Sequence, residues 1–216
     1  MAELLTVVEH PVLADRLVVL RDRATPHGAF RRALEEASAI LAIEATRDLP
    51  TRDVTVETPL EPANGKRLLG EVAIVPVLRA GLGMVDGFLR LLPDARVGHL
   101  GMYRDEQTLQ PVVYYSKLPG ELSEREILLL DPMLATGGSG AAACAAVKEG
   151  EPAGIRFVCV VAAPEGVALA LAEAATFVLS RSELPSAAAT TSARIELSRR
   201  SLSAIMNVFA FNTRAR

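Results

Sequence analysis

An α/β fold, with a mostly parallel central sheet flanked by helices, is what the sequence predicts, and three observations carry it. The runs "EVAIVPVL" (71–78) and "EILLLD" (126–131) are branched and apolar without alternation, as strands covered on both faces should be. "IRFVCVVAAP" (155–164) repeats that pattern, and between the last two lies the helix-forming "GSGAAACAAVKEG" (138–150). The resulting strand-loop-helix-strand rhythm calls for parallel pairing through right-handed crossovers.

The remaining elements follow in order. "PVLADRLVVLRD" (11–22) and "HGAFRRALEEASAILAIEATRDL" (27–49) read as helices; in the second, Phe30, Leu34, Ala37, Ile40, Leu41 and Ile43 recur at helical spacing. "GMVDGFLRLLP" is a helix stopped by Pro93, and "RVGHLGMY" (96–103) reads as one strand. "PVVYYSKLP" (111–119) is a further strand, β-branched and aromatic, bounded by Pro111 and the Pro119-Gly120 turn. With 216 residues, half of them apolar, and no internal repeat or linker, one domain over 1–216 is expected.

Composition excludes several classes. A net charge of -3 gives no reason to expect a nucleic-acid surface, and no apolar run is long enough to span a bilayer. The acidic N-terminus "MAELLTVVEHP" lacks the pattern of a signal peptide. Cys144 and Cys159 are too few for a disulfide framework or a zinc site, and read as buried thiols in a reducing cytoplasm. His10, His27 and His99 lie far apart and read as structural or surface residues.

In such a sheet a ligand sits beyond the carboxyl ends of the strands, so the loops there carry the functional expectation. After "ILLL" comes "DPMLATGGSG" (131–140): one carboxylate, Asp131, then Thr136, Gly137, Gly138 and Ser139 leading into a helix. Glycines there let successive N–H groups converge, the hydroxyls add donors, and the helix start adds its dipole. That is a phosphate cradle, or an ordinary capped turn. Arg79 follows one strand in "RAGLG" and Arg104 another in "RDE"; each offers a planar fork of donors suited to phosphate oxygens. Two strand-end arginines beside a cradle suggest a ligand with phosphates at both ends. The nucleotide patterns G-x-x-x-x-G-K-[ST] and G-x-G-x-x-G after a strand are absent.

These loops resemble those of type I phosphoribosyltransferases in the form carried by uracil phosphoribosyltransferases. "DPMLATGGSG" resembles the loop that holds phosphoribosyl diphosphate (PRPP), with Asp131-Pro132 where most of the superfamily has two adjacent acids. "VPVLRAGLGM" resembles the diphosphate loop, "GMYRDEQTLQPVVYYSKLP" the arginine-bearing segment and β-arm, and "VVEHPVLADRLVVLRDRAT" fits as well. The resemblance implies a type I phosphoribosyltransferase-like fold and the reaction uracil + PRPP to UMP + diphosphate. It implies PRPP binding by Arg79, Arg104, Asp131, Pro132, Met133, Leu134, Ala135, Thr136, Gly137, Gly138 and Ser139, with Asp131 and Arg104 as the catalytic pair. It further implies Mg²⁺ carried in by PRPP, GTP as a candidate allosteric effector, and a homodimer or higher homo-oligomer.

The resemblance runs to about residue 167, through "VVAAPEGV". Family members close with a segment like Tyr-Ile-x-Pro-Gly-x-Gly-Asp-Ala-Gly-Asp, which recognises uracil. From 168 to 216 this chain has no glycine, tyrosine or aspartate, only an Ala-, Ser- and Arg-rich stretch with one amphipathic helical pattern (Leu202, Ile205, Met206, Phe209). The expected division is a single domain with a divergent tail over 168–216, and the uracil-binding residues are not assigned. Two readings follow: an active uracil phosphoribosyltransferase, or a PRPP-binding protein without that activity, either a regulator or a frame-altered product.

Overall fold

The structure is a computed structural model that describes residues 5–105, 107–108, 110–172 and 176–180. Its main sheet runs in the order β1 (Leu5–Val8), β12 (Thr176–Ser180), β10 (Gly154–Cys159), β8 (Arg125–Leu130), β4 (Glu71–Leu78), β6 (His99–Arg104) and β7 (Pro111–Lys117). The short β5 (Arg96–Val97) also pairs with β4. All these pairings are parallel except β6 with β7, so the expected mostly parallel sheet is present.

Alternation within the apolar runs explains why they are apolar throughout. Ile74, Leu128, Leu130 and Val158 face α1 (Pro11–Arg21), α2 (His27–Ala45) and α3 (Leu82–Leu89), packing with Leu13, Leu17, Leu41, Met84 and Phe88. Their neighbours Ala73, Val75, Ile127, Leu129 and Phe157 face the other way, onto Ala143, Cys144 and Val147 of α4 (Gly138–Lys148) and Val167 of α5 (Pro164–Ala172). Each central strand thus feeds two cores. His10 is structural, as expected: its Nδ1 accepts the Val12 N–H at 3.2 Å and caps α1. Cys144 and Cys159 are buried and not joined in a disulfide.

Four details differ from the expectation. "RVGHLGMY" is two strands broken at Gly98, whose N–H donates to the Ile74 carbonyl at 2.9 Å. "IRFVCVVAAP" likewise splits into β10 and β11 (Val161–Ala162), because Val160 and Val161 turn their N–H groups to the Pro132 carbonyl, each at 3.1 Å. An antiparallel hairpin of β2 (Thr51–Glu57) and β3 (Pro62–Leu68) occupies a stretch given no element. And the chain beyond 167 continues into the fold, with β12 between β1 and β10 and Val178 in the core. The helical pattern at Leu202–Phe209 lies outside the described residues.

Candidate active site at the strand ends

Four segments meet at the carboxyl end of β8. Asp131 leaves the strand, its N–H donating to the Val158 carbonyl at 3.1 Å. β9 (Met133–Leu134) then pairs with β11, and the Ala163 N–H donates to the Leu134 carbonyl at 2.8 Å, so the start of the loop is stitched to the chain after β10. Pro132 is buried beneath this stitch. Gly137 precedes α4 with φ +85°, and its carbonyl accepts the Ala141 N–H at 2.8 Å.

The tip of the loop is held by glycine-to-glycine contact. A Cβ on Gly137 would stand 2.7 Å from the carbonyl oxygen of Gly166, at the start of α5. A Cβ on Gly166 would strike the Ala135 carbonyl and come within 2.9 Å of that of Leu134. Neither position accepts a side chain without moving the loop, and the positive φ at Gly137 adds roughly 1–2 kcal/mol of strain for an L-residue. A Cβ on Gly81 would strike the Leu130 carbonyl, so the "RAGLG" turn lies directly against the end of β8.

The result is a cleft of about 450 Å³ lined by Asp131, Met133, Leu134, Ala135, Thr136, Gly137, Gly138, Ser139 and Gly140, together with Gln110, Pro111 and Leu169, the last packed beside Gly137. The first N–H groups of α4 have no intrahelical acceptor and open into it. Thr136 and Ser139 are exposed, and neither hydroxyl is hydrogen-bonded among the described residues. A phosphate would meet unspent donors from both backbone and side chains, beside a helix start. A larger hollow of about 620 Å³, between Gly70–Val72 and Leu91–Arg96, lies at the opposite ends of the strands, away from where parallel sheets bind ligands.

Asp131 is half-buried, and desolvation pushes its pKa up to about 7, with the Met133 N–H pulling the other way. The buried Cys159 thiol is pushed up by its own desolvation and then by the neighbouring Asp131 charge. A carboxyl balanced near neutrality changes state readily when a cation or sugar hydroxyls arrive.

Of the expected residues, Asp131 and Met133–Ser139 line one cleft. Arg79 stands exposed at the end of β4, on the turn that abuts β8, and does not line the cleft. Arg104 closes β6 opposite Pro111, which does. Gly166, Gln110, Pro111 and Leu169 were not assigned to the site from sequence; Pro111 was read only as a strand boundary, and Gly166 stands out as the last glycine of the chain.

The family model described as uracil phosphoribosyltransferase matches residues 7–183, beyond residue 167 and through β12. The curated uracil phosphoribosyltransferase of Salinibacter ruber is 52% identical over 165 residues, covering 76% of this chain and 79% of that protein. That of Halalkalibacterium halodurans is 51% identical over 162 residues, covering 74% and 78%. Among solved structures, the AQ2163 protein of Aquifex aeolicus superposes with a TM-score of 0.76 at 33% identity, covering 82% of this chain and 85% of that one. A purine phosphoribosyltransferase from Pyrococcus horikoshii, at 15% identity and a TM-score of 0.50, shares the fold.

Proposed function

Because the chain belongs to the uracil phosphoribosyltransferase family, we propose that this cleft transfers the phosphoribosyl group of PRPP to uracil, giving UMP and diphosphate. The observation that carries the reading is the loop from Asp131 to Ser139, with unspent donors at a helix start beside the one carboxylate at the strand end. In this reading the N–H groups and hydroxyls of Thr136–Ser139 hold the 5′-phosphate. That remote grip orients the anomeric carbon. Asp131 accepts hydrogen bonds from the ribose hydroxyls and faces the positive charge that develops as the bond to diphosphate breaks. Arg79 and Arg104 meet the departing diphosphate, where charge-assisted donors act most strongly on the transition state. Uracil N1 is the nucleophile, so no side chain forms a covalent intermediate.

A lone carboxylate fits Mg²⁺ that keeps most of its ligands from water and substrate phosphate, so Asp131 is the residue to which PRPP-borne Mg²⁺ would be presented. When bound, the ion would supply charge neutralisation at the leaving group. The partners are then PRPP, uracil, UMP and diphosphate, with GTP as a candidate effector. A homo-oligomer belongs to the same reading: β2–β3 is exposed on both faces, Leu60 at its turn is 96% exposed, and a two-stranded hairpin is marginal alone. So does a cytoplasmic location, which two cysteines left without a disulfide support. Among the described residues, no helix is long and apolar enough to cross a membrane.

One observation favours a second reading, PRPP binding with weak uracil turnover: after Gly166 the chain has no glycine with which to bring main-chain groups close to a flat base. Replacing residues 184–216, beyond β12 and the family match, with an ending that contains Pro-Gly-x-Gly-Asp-Ala-Gly should then raise turnover. The deciding assay follows UMP formation from uracil, PRPP and Mg²⁺ by chromatography. UMP that appears only when uracil and PRPP are both present carries the first reading; PRPP binding without UMP would move the chain to the second.

A further inference from the structure

One large apolar side chain stands in the polar part of the cleft. The stretch 135–140 presents its glycines and the hydroxyls of Thr136 and Ser139, and Leu169 lines the same cleft beside it. A Cβ on Gly137 would lie 3.0 Å from the Leu169 Cβ, so this side chain starts directly against the tip of the loop. Leu169 is 45% exposed, whereas Val167, two residues before it on α5, is packed in the core. The leucine therefore spends about half of its surface on the cleft side, next to the donors.

Leu169 has no room to step back from the loop. Val167 anchors α5 in the core, and its N–H donates to the Ala163 carbonyl at 3.0 Å. Gly166 rests on the Ala135 carbonyl so closely that no Cβ fits between them. The loop is fixed from its own side by the pairing of β9 with β11. A group held by the N–H groups and hydroxyls of Thr136–Ser139 is thus confined between the start of α4 and Leu169. α5 offers nothing to receive a further anionic group there, because Glu165 is its one charged residue and a carboxylate repels an anion.

We propose that Leu169 is a specificity-determining residue that ends the cradle after one phosphate. The cleft then takes a sugar with a terminal phosphomonoester and refuses the same sugar when that phosphate is esterified or extended. This inference rests on the reading of Thr136–Ser139 as the grip on the 5′-phosphate, and not on the identity of the acceptor base. Its mechanism is exclusion: the wrong ligand meets bulk and an unpaired desolvated charge, while the right one gains no added contact.

The test is calorimetric titration of ribose 5-phosphate and of ribose 5-(ethyl phosphate) into the full chain, Leu169→Ala and Leu169→Phe. The wild-type protein should bind the monoester roughly tenfold or more above the ethyl ester, the scale at which a pocket discriminates by size. Leu169→Ala should raise ethyl-ester affinity roughly tenfold, a gain that damage to the fold does not produce. Leu169→Phe should lower ribose 5-phosphate affinity by a similar factor. Equal binding of the two ligands by the wild type, or an ethyl-ester affinity unmoved in Leu169→Ala, would overturn the proposal and leave the cradle standing. No ribose 5-phosphate binding by the wild type would overturn the cradle reading and this proposal together.

Discussion

On the β8–α4 side of the cleft the loop is fixed from below and behind: β9 pairs with β11, Gly137 rests on Gly166, and the Gly81 turn abuts Leu130. On the β6–β7 side the support stops early. β6 pairs with β4 only at Leu100 and Gly101, the register slips between Gly101 and Met102, and from there to Pro111 the hairpin extends with β7 as its strand partner. One wall is a preformed mould for a phosphate, and the other is an arm that has lost its sheet neighbour. The difference separates two kinds of binding. A terminal phosphate is the same in substrate and product and suits a rigid grip, whereas the leaving diphosphate must be both held and released.

The contrast is broken most severely at Gly137. Gly137→Val places a branched side chain at positive φ and against Gly166, and should lower PRPP affinity more than 100-fold by calorimetry. Arg79→Ala acts on the other phosphate. Loss of a charge-assisted contact of about 1.5–3 kcal/mol should weaken PRPP and diphosphate roughly 10- to 100-fold and leave ribose 5-phosphate nearly unchanged. Arg104→Ala should behave alike, and a uniform loss for all three ligands would mean disturbed folding. Gly166→Ala touches no ligand but pushes on the Ala135 carbonyl, so PRPP affinity should fall about tenfold, within the usual 1–3 kcal/mol of overpacking.

The smallest effect concerns pH. Asp131 has a folded pKa near 7, above its ordinary value, so its favourable contribution to folding is complete below about pH 4 and is lost as pH rises through 7. Asp131→Asn removes that loss. In the ligand-free protein it should gain about 1–2 kcal/mol over wild type between pH 5 and pH 8, read from thermal midpoints at the two pH values.

The same contrast governs how much was legible in the sequence. β4, β8 and β10 were visible because the stretches of strand that feed two cores are apolar on both faces. The cradle was visible because a backbone that wraps a phosphate needs glycines and hydroxyls within a few residues of a strand end. β2 and β3 were not: "TRDVTVE" shows only the brief alternation of Val54 and Val56, "PANGKRL" is largely polar, and both strands are mostly exposed. β12 was hidden because "TFVLS" is short and becomes a strand only by inserting between β1 and β10. Gln110, Pro111 and Leu169 reach the cleft through tertiary placement and carry no local pattern. Gly98, which splits an apparently continuous strand, needs to be glycine because of Pro119, a neighbour distant in sequence.

The most direct test of a rigid phosphate mould with a separate grip on diphosphate is a single set of titrations. Ribose 5-phosphate and diphosphate are titrated into wild type, Gly137→Val and Arg79→Ala. The account predicts a crossed pattern: Gly137→Val loses ribose 5-phosphate and keeps diphosphate within a few-fold, and Arg79→Ala does the reverse. Parallel losses of both ligands in both variants, with melting temperatures intact, would contradict it.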